Sequence, residues 1–269
     1  MAVPGLRRAW RRFPLGSAVL RTEYDIWQHP AYAYGVLCAA RQAKMLGHGS
    51  ICVLEFGVAG GNGLVTLERI ANDIGRELDI AIEVAGFDGG TGMPAPQDYR
   101  DLPSVWGAGF YPMDRKLLEA RLKTAKLIIG PISETLPNFL ATSIARLGFI
   151  AFDLDYYSST RTALKIFGCA EDKRLPRVHC YFDDTIEPEW AGHSSFTGEL
   201  AAIKEFNSQS DNKKITRVHG LSWLRRKPAM WNDKIFIFHD FAHSEYCTLL
   251  TPEGSSHREL PLTPPYQRT

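Results

Sequence analysis

A chain of 269 residues with 45% hydrophobic content can bury a sizeable core, and its length fits one large α/β domain with decorations. A formal net charge of +1 supplies no global basic field, so nucleic acid is disfavoured as a partner. No apolar run approaches the ~18 residues of a membrane span, Met1 to Arg21 lacks the continuous apolar stretch of a secretory signal, and the five cysteines show no CxxC spacing. The expected setting is the cytoplasm, with the cysteines as reduced thiols.

Near the start, Arg7, Arg8, Arg11 and Arg12 alternate with Leu6, Trp10 and Phe13, which a helix separates into a basic and an apolar face. The apolar side is expected to pack on its own domain or on another subunit, which would make the N-terminal region a route to a homo-oligomer. A second helix is expected from Tyr32 to Lys44, and residues 1–49 are read as a helical cap over a ligand-binding side.

The run Ile51 to Glu55 is β-branched and apolar, ends in a carboxylate, and breaks into Gly57, Gly60, Gly61 and Gly63. Helical apolar spacing follows at Leu64, Leu67, Ile70 and Ile74. A strand feeding a glycine turn and a helix lets backbone N–H groups approach a nucleotide-type ligand. The spacing fits neither a phosphate loop, which needs a terminal Gly-Lys-Ser/Thr, nor a clean GxGxxG. Asp88 ends the next apolar run, Ile80 to Phe87, where a carboxylate can accept both hydroxyls of a ribose. That combination suits S-adenosylmethionine, which has no phosphates to cradle.

Beyond the turn, strand-like and helix-like segments alternate: Ile80–Asp88 then Arg115–Ala125, Leu127–Gly130 then Leu136–Leu147, Phe149–Asp155 then Thr160–Ala170. This predicts a parallel sheet with crossover helices. Val178–Asp183 reads as a fifth strand, Glu199–Phe206 as a helix, and Lys214–Leu221 with Lys234–Phe241 as an antiparallel pair at one edge. Residues 50–250 are read as one α/β domain that carries the glycine turn, and the proline-bearing tail 251–269 is read as irregular.

Ligands of open α/β sheets sit beyond the carboxyl ends of the strands, and there the chain collects Glu55, Asp88, Asp153 with Asp155, and Asp183 with Asp184. Asp153 and Asp155 are expected to share a strand face by the period of two, while Asp183 and Asp184 can both face a site where their strand ends. Aspartates converging without cysteine or histidine form a hard-oxygen site suited to Mg²⁺ or Ca²⁺. Helix capping is the alternative for each carboxylate taken singly. His193, in the loop after Asp184, is within reach of a bound acceptor, whereas His179 reads as a core residue.

Leu54-Glu-Phe-Gly-Val-Ala-Gly-Gly-Asn-Gly63, Gly86-Phe-Asp-Gly-Gly-Thr-Gly-Met-Pro94, Glu134-Thr-Leu-Pro137, Asp153-Leu-Asp-Tyr-Tyr-Ser-Ser-Thr160 and Phe182-Asp-Asp184 together resemble the macrocin O-methyltransferase family of class I S-adenosylmethionine-dependent methyltransferases. The resemblance implies a Rossmann-like, seven-stranded, mostly parallel sheet with an antiparallel edge strand. It implies a cofactor site of Glu55, Phe56, Gly57, Val58, Gly61, Asn62, Asp88, Ser133, Glu134 and Asp153, with the turn on the methionine part, Asp88 on the ribose and Ser133-Glu134 on the adenine. It implies Mg²⁺ on Asp153, Asp183 and Asp184, Asp153 as general base, and a small hydroxylated acceptor, sugar or natural product. The chain departs from the family pattern at Gly89-Gly90-Thr91-Gly92 and at Thr185. Two rival readings are a metal-independent N- or C-methyltransferase and a cofactor-binding scaffold without catalysis.

Overall fold

The computed structural model describes residues 4–13, 15–142, 145–186 and 191–250. The readings of the tail 251–269 and of the side chains of Leu6 and Arg7 lie outside the described residues. Three helices come first, α1 (Pro4–Arg12), α2 (Ala18–Glu23) and α3 (Pro30–Met45), followed by β1 (Ser50–Phe56), α4 (Asn62–Leu78) and β2 (Ala81–Asp88). Then come α5 (Arg115–Arg121), β3 (Lys126–Ile129), α6 (Ile132–Thr142), β4 (Arg146–Phe152), α7 (Tyr157–Ala163) and β5 (Arg174–Phe182). The chain closes with α8 (Gly198–Ser208), β6 (Lys213–Arg217), α9 (Leu221–Leu224) and β7 (Ile235–Asp240).

The strands form one sheet in the order β3-β2-β1-β4-β5-β7-β6. β1 to β5 pair in parallel, and β7 runs antiparallel to both β5 and β6, so the expected antiparallel pair closes one edge. Burial on both faces fixes the centre. In β1, Ile51 and Val53 enter one core while Cys52, Leu54 and Phe56 enter the other, as a strand covered on both faces requires. α3 and α4 pack on the first face and α6, α7 and α8 lie on the second. α3 runs along β1, β4 and β5, and its first turn carries Tyr32 to the carboxyl end of β1. Among the described residues no helix is long and apolar enough to cross a membrane.

Trp10 of α1 packs its ring on Tyr24 of its own chain, at 5.6 Å between centroids, while Phe13 is exposed. All five cysteines are free thiols.

Several boundaries differ from the sequence expectation, each for a local reason. The helix expected over Arg115–Ala125 stops at Arg121 because the Glu68 carboxylate accepts the amides of Lys123, Thr124 and Ala125 and leads the chain into β3. Leu147 belongs to β4, not to the preceding helix, since its side chain enters the sheet core. α7 begins at Tyr157, three residues early, and passes into a 3₁₀ turn at Leu164. Leu221 opens α9 after Gly220 takes a positive φ of 72°, which ends the β6 segment short.

The start of α7 is held from outside its own helix. Asp101, fully buried, accepts the Ser158 amide and hydroxyl at 2.8 Å each and the Gln97 amide at 2.8 Å. A carboxylate at the positive end of a helix is favourable, and this one ties the long β2–α5 connection over the carboxyl ends of the strands. Replacing Asp101 by Ala strands two buried donors on Ser158 and frees the partly buried Gln97 amide, so we expect unfolding stability in urea to fall by about 2–4 kcal/mol. A loss under about 0.5 kcal/mol would mean that the connection is not anchored there.

Candidate functional site

The turn after β1 alternates left-handed residues, with φ of 85° at Gly57, 45° at Ala59 and 78° at Gly61. Gly57 serves the fold directly: a Cβ there would lie 1.7 Å from the Asp153 carbonyl oxygen, so the loops after β1 and β4 touch backbone to backbone. Gly63 makes room in the same way, since its Cβ would meet Glu55 Oε1 at 1.9 Å. Gly60 and Gly89 face open space. Those two mark the open side of the turn, where a ligand can approach the backbone.

Asp88 lies across this opening. Its Oδ2 accepts the Ala59 amide at 2.8 Å and its Oδ1 the Gly90 amide at 2.6 Å, which fixes the carboxylate between the two loops. The Gly130 amide donates to the Asp88 carbonyl at 2.9 Å, and Ser133 and Glu134 follow as exposed residues of the first turn of α6. Val58 is buried and Asn62 is exposed, its side-chain oxygen accepting from Arg121 at 3.2 Å. The Phe56 ring is fully buried and stacks on Phe87 and Phe152, at 4.7 and 5.5 Å, so only its backbone faces the turn.

Glu55 lies beneath the turn. Its side chain is 1% exposed, its Oε1 accepts from Tyr32 Oη at 2.7 Å, and its Oε2 is buried with no hydrogen-bond partner. Burial pushes the carboxyl up to about 8, the Tyr32 bond opposes the shift and the Asp88 charge adds to it. Tyr32 itself is a hub, its ring 5.1 Å from His29, 5.8 Å from Phe149 and 5.5 Å from Tyr181.

Beyond β4 and β5 the carboxylates converge. One oxygen each from Asp153, Asp183 and Asp184 lies within 4.8 Å of the others. Asp183 and Asp184 occupy a 3₁₀ turn immediately after Phe182, which is how adjacent residues come to face one site. Asp155 does otherwise than expected: β4 ends at Phe152, Asp155 adopts φ of 56°, and its amide donates to Asp184 Oδ2 at 3.0 Å. It thus braces the cluster through its backbone. Burial first, then the charges of Asp183, Asp184 and Glu55, hold the Asp153 carboxyl well above the usual carboxylate range.

His193 lies beside Gly198 and the Asp155 carbonyl. Part of its loop, 187–190, is outside the described residues. His179 is a core imidazole, pushed down to about 4 by burial.

Further site residues, like Tyr32, have no local signal in the sequence. Glu199, at the start of α8, is fully buried; its Oε2 accepts the Asp184 amide at 3.0 Å and its Oε1 has no partner. Burial and the Asp184 charge raise its carboxyl well above the ordinary value. Lys234 Nζ reaches Asp183 Oδ1 at 3.2 Å, and Tyr181 Oη donates to the same oxygen. His29 stacks on Tyr32, and its buried Nε2 has no partner. Burial lowers its pKa, with the Asp183 charge acting in the opposite sense.

The residues present suit a hard divalent cation. All the candidate donors are oxygens, like charges crowd one another, and the orphaned Glu199 oxygen sits behind them. They also suit a nucleoside with a charged tail, for the turn is open at Gly60 and Gly89 and Asp88 stands across it.

No protein-family model matches the chain, and no curated protein matches it by sequence. Solved structures do. CalS11, a calicheamicin methyltransferase, is similar over 77% of this chain and 77% of its own, with 21% identity and a TM-score of 0.51. Rv0187 from MTB, solved with cofactor bound, matches over 78% and 79% with 16% identity and a TM-score of 0.43. An O-methyltransferase from Bacillus cereus in complex with SAH matches over 77% and 78%, with 14% identity and a TM-score of 0.41. The likeness to CalS11, together with the strand order, shows that the chain has the fold of class I S-adenosylmethionine-dependent methyltransferases.

Glu55 yields a prediction with a definite sign. Its native pKa of about 8 lies above its unfolded value of 4.5, so the native state holds the extra proton and stability falls as pH rises from about 5 to 8. Glu55→Gln keeps the Tyr32 bond and removes the titration. Urea melts should show the variant gaining on the parent by up to about 4 kcal/mol across that window. Parallel pH profiles would contradict a buried neutral carboxyl.

Proposed function

We propose that the protein transfers a methyl group from S-adenosylmethionine to a hydroxyl oxygen of a small molecule, a sugar or a natural-product-like compound, with Mg²⁺ held by Asp153, Asp183 and Asp184. The observation that carries this reading is the convergence, at the carboxyl ends of adjacent strands, of an open glycine turn with Asp88 on one side and three carboxylates within 4.8 Å on the other. CalS11, whose fold is similar, is described as a TDP-rhamnose 3'-O-methyltransferase of calicheamicin biosynthesis, which supports a hydroxylated acceptor.

In this reading the Glu55–Gly63 turn, with Phe56, Val58, Gly61 and Asn62, receives the methionine part, Asp88 accepts the ribose hydroxyls, and Ser133 with Glu134 borders the adenine. When bound, S-adenosylmethionine supplies a methyl group already activated by its sulfonium charge, and Mg²⁺ supplies positive charge that favours an ionised hydroxyl. The remaining tasks are alignment and proton removal. Asp153 receives the acceptor proton on its carboxylate, a role that suits a carboxyl raised by burial and by neighbouring charge. Asp155 and Glu199 hold Asp184 in place through the two backbone bonds already described. His193 contacts the acceptor from the loop after β5, and the buried His29 ring, kept neutral by desolvation, borders the same side.

One observation favours a metal-independent enzyme. The Lys234 ammonium already answers the charge of Asp183, and an ammonium can orient a carboxylate without a divalent ion. A chelator separates the two readings.

Asp88→Ala removes the ribose acceptor, so adenosylhomocysteine affinity measured by calorimetry should fall by about 1–3 kcal/mol. Asp183→Asn should lower turnover on an identified acceptor by roughly two or more orders of magnitude while leaving that affinity within a few-fold. Full turnover in chelator, or in Asp183→Asn, hands the case to the metal-independent reading. Absence of any adenosylhomocysteine binding removes the methyltransferase reading altogether.

A further inference from the structure

A cavity of about 250 Å³ opens where the segment before α3 meets α1, α2 and the outer side of α4. None of its lining residues belongs to the carboxylate cluster or to the glycine turn. Its lining carries three guanidinium groups, Arg11, Arg21 and Arg69, and no carboxylate.

Each arginine comes from a different helix, so the cluster is a product of folding, not of a local basic run. Arg21 is fixed: its Nη2 donates to Asp73 Oδ2 at 2.8 Å and its guanidinium lies 4.1 Å from the centre of the Trp27 ring. Arg11 is fixed by the chain before α3, with Nε donating to the Ile26 carbonyl at 3.0 Å. Arg69 is exposed and has no carboxylate partner among the described residues. Thr66, three residues before Arg69 and so on the same face of α4, and Gln28 are the other polar residues of the lining.

A site lined by three arginines, a threonine and a glutamine, with Ile26 and Trp27 as its apolar part and Asp73 answering Arg21 from outside the lining, selects a compact polyanion whose oxygens can be met bidentately. The volume corresponds to roughly eight waters at their liquid share of ~30 Å³ each, enough for a diphosphate but not for a nucleoside as well. We propose that this cavity binds a phosphoryl or diphosphoryl group. The group comes either from a free anion or from the charged end of a larger molecule whose remainder projects into solvent.

The proposal is independent of methyl transfer, and its test needs no acceptor. Calorimetric titration of the full chain with pyrophosphate, without divalent ions and at about 0.1 M salt so that long-range attraction is screened, should give saturable one-site binding. Arg69→Gln should weaken it about tenfold or more, and Arg69→Lys should restore only part, because a point charge lacks the bidentate fork. Arg69 is exposed, so the variant should fold, which an unchanged adenosylhomocysteine affinity and circular dichroism would verify. ADP binding that Arg69→Gln weakens in parallel with pyrophosphate assigns the phosphoryl group to a larger molecule, pyrophosphate binding without any such Arg69-dependent ADP binding assigns it to the free anion, and either supports the site. No saturable binding, equal affinity in Arg69→Gln, or citrate binding as tightly as pyrophosphate overturns it.

Discussion

Like charge held at close range in a partly buried place governs this molecule's carboxyl-end surface. Glu55, Asp153, Asp183, Asp184 and Glu199 gather at the ends of β1, β4 and β5 and at the start of α8, several of them almost without exposure. Burial alone disfavours ionised carboxylates, and neighbouring charges disfavour them further. The raised carboxyls of Glu55, Asp153 and Glu199 are the response. A fold that kept such groups together without use would be less stable than one that replaced them. The surrounding hydrogen bonds from Tyr32, Tyr181 and Lys234 hold the arrangement against that repulsion.

The backbone of the site follows from close approach. Gly57 brings the β1 loop onto the Asp153 carbonyl, and Gly63 leaves space for the Glu55 carboxyl under the first turn of α4. The turn therefore couples what would be two half-sites: the open rim at Gly60, facing Asp88, and the carboxylate cluster at β4 and β5. The same short turn thus serves the fold at Gly57 and Gly63 and leaves its backbone open at Gly60.

The sheet was legible because a strand covered on both faces leaves a continuous apolar run, and the acid that ends each run marks its carboxyl end. Glu55, Asp88, Asp153 and Asp183 are all found that way. The pair Asp183-Asp184 was legible as well, since consecutive residues share a site only off the end of a strand. Asp155 departs from the shared strand face because the period of two holds only while the strand continues, and β4 stops at Phe152. Tyr32, His29, Glu199 and Lys234 were out of reach for a different reason. They arrive from helices and turns far away in sequence, and a glutamate at a helix start or a lysine before a strand carries no mark of what it will meet. The arginines around the cavity beside α4 are of the same kind, for the basic pattern of α1 predicts a face but not its neighbours on α2 and α4.

The central claim is that the carboxylate cluster exists to hold a divalent cation beside a bound nucleoside. Crystals grown with adenosylhomocysteine and soaked in Mn²⁺, whose anomalous scattering separates it from water, test this most directly. The account predicts one anomalous peak between Asp153, Asp183 and Asp184, with the nucleoside in the turn and its ribose on Asp88. A bound nucleoside with no peak there, and Lys234 still on Asp183, would contradict it.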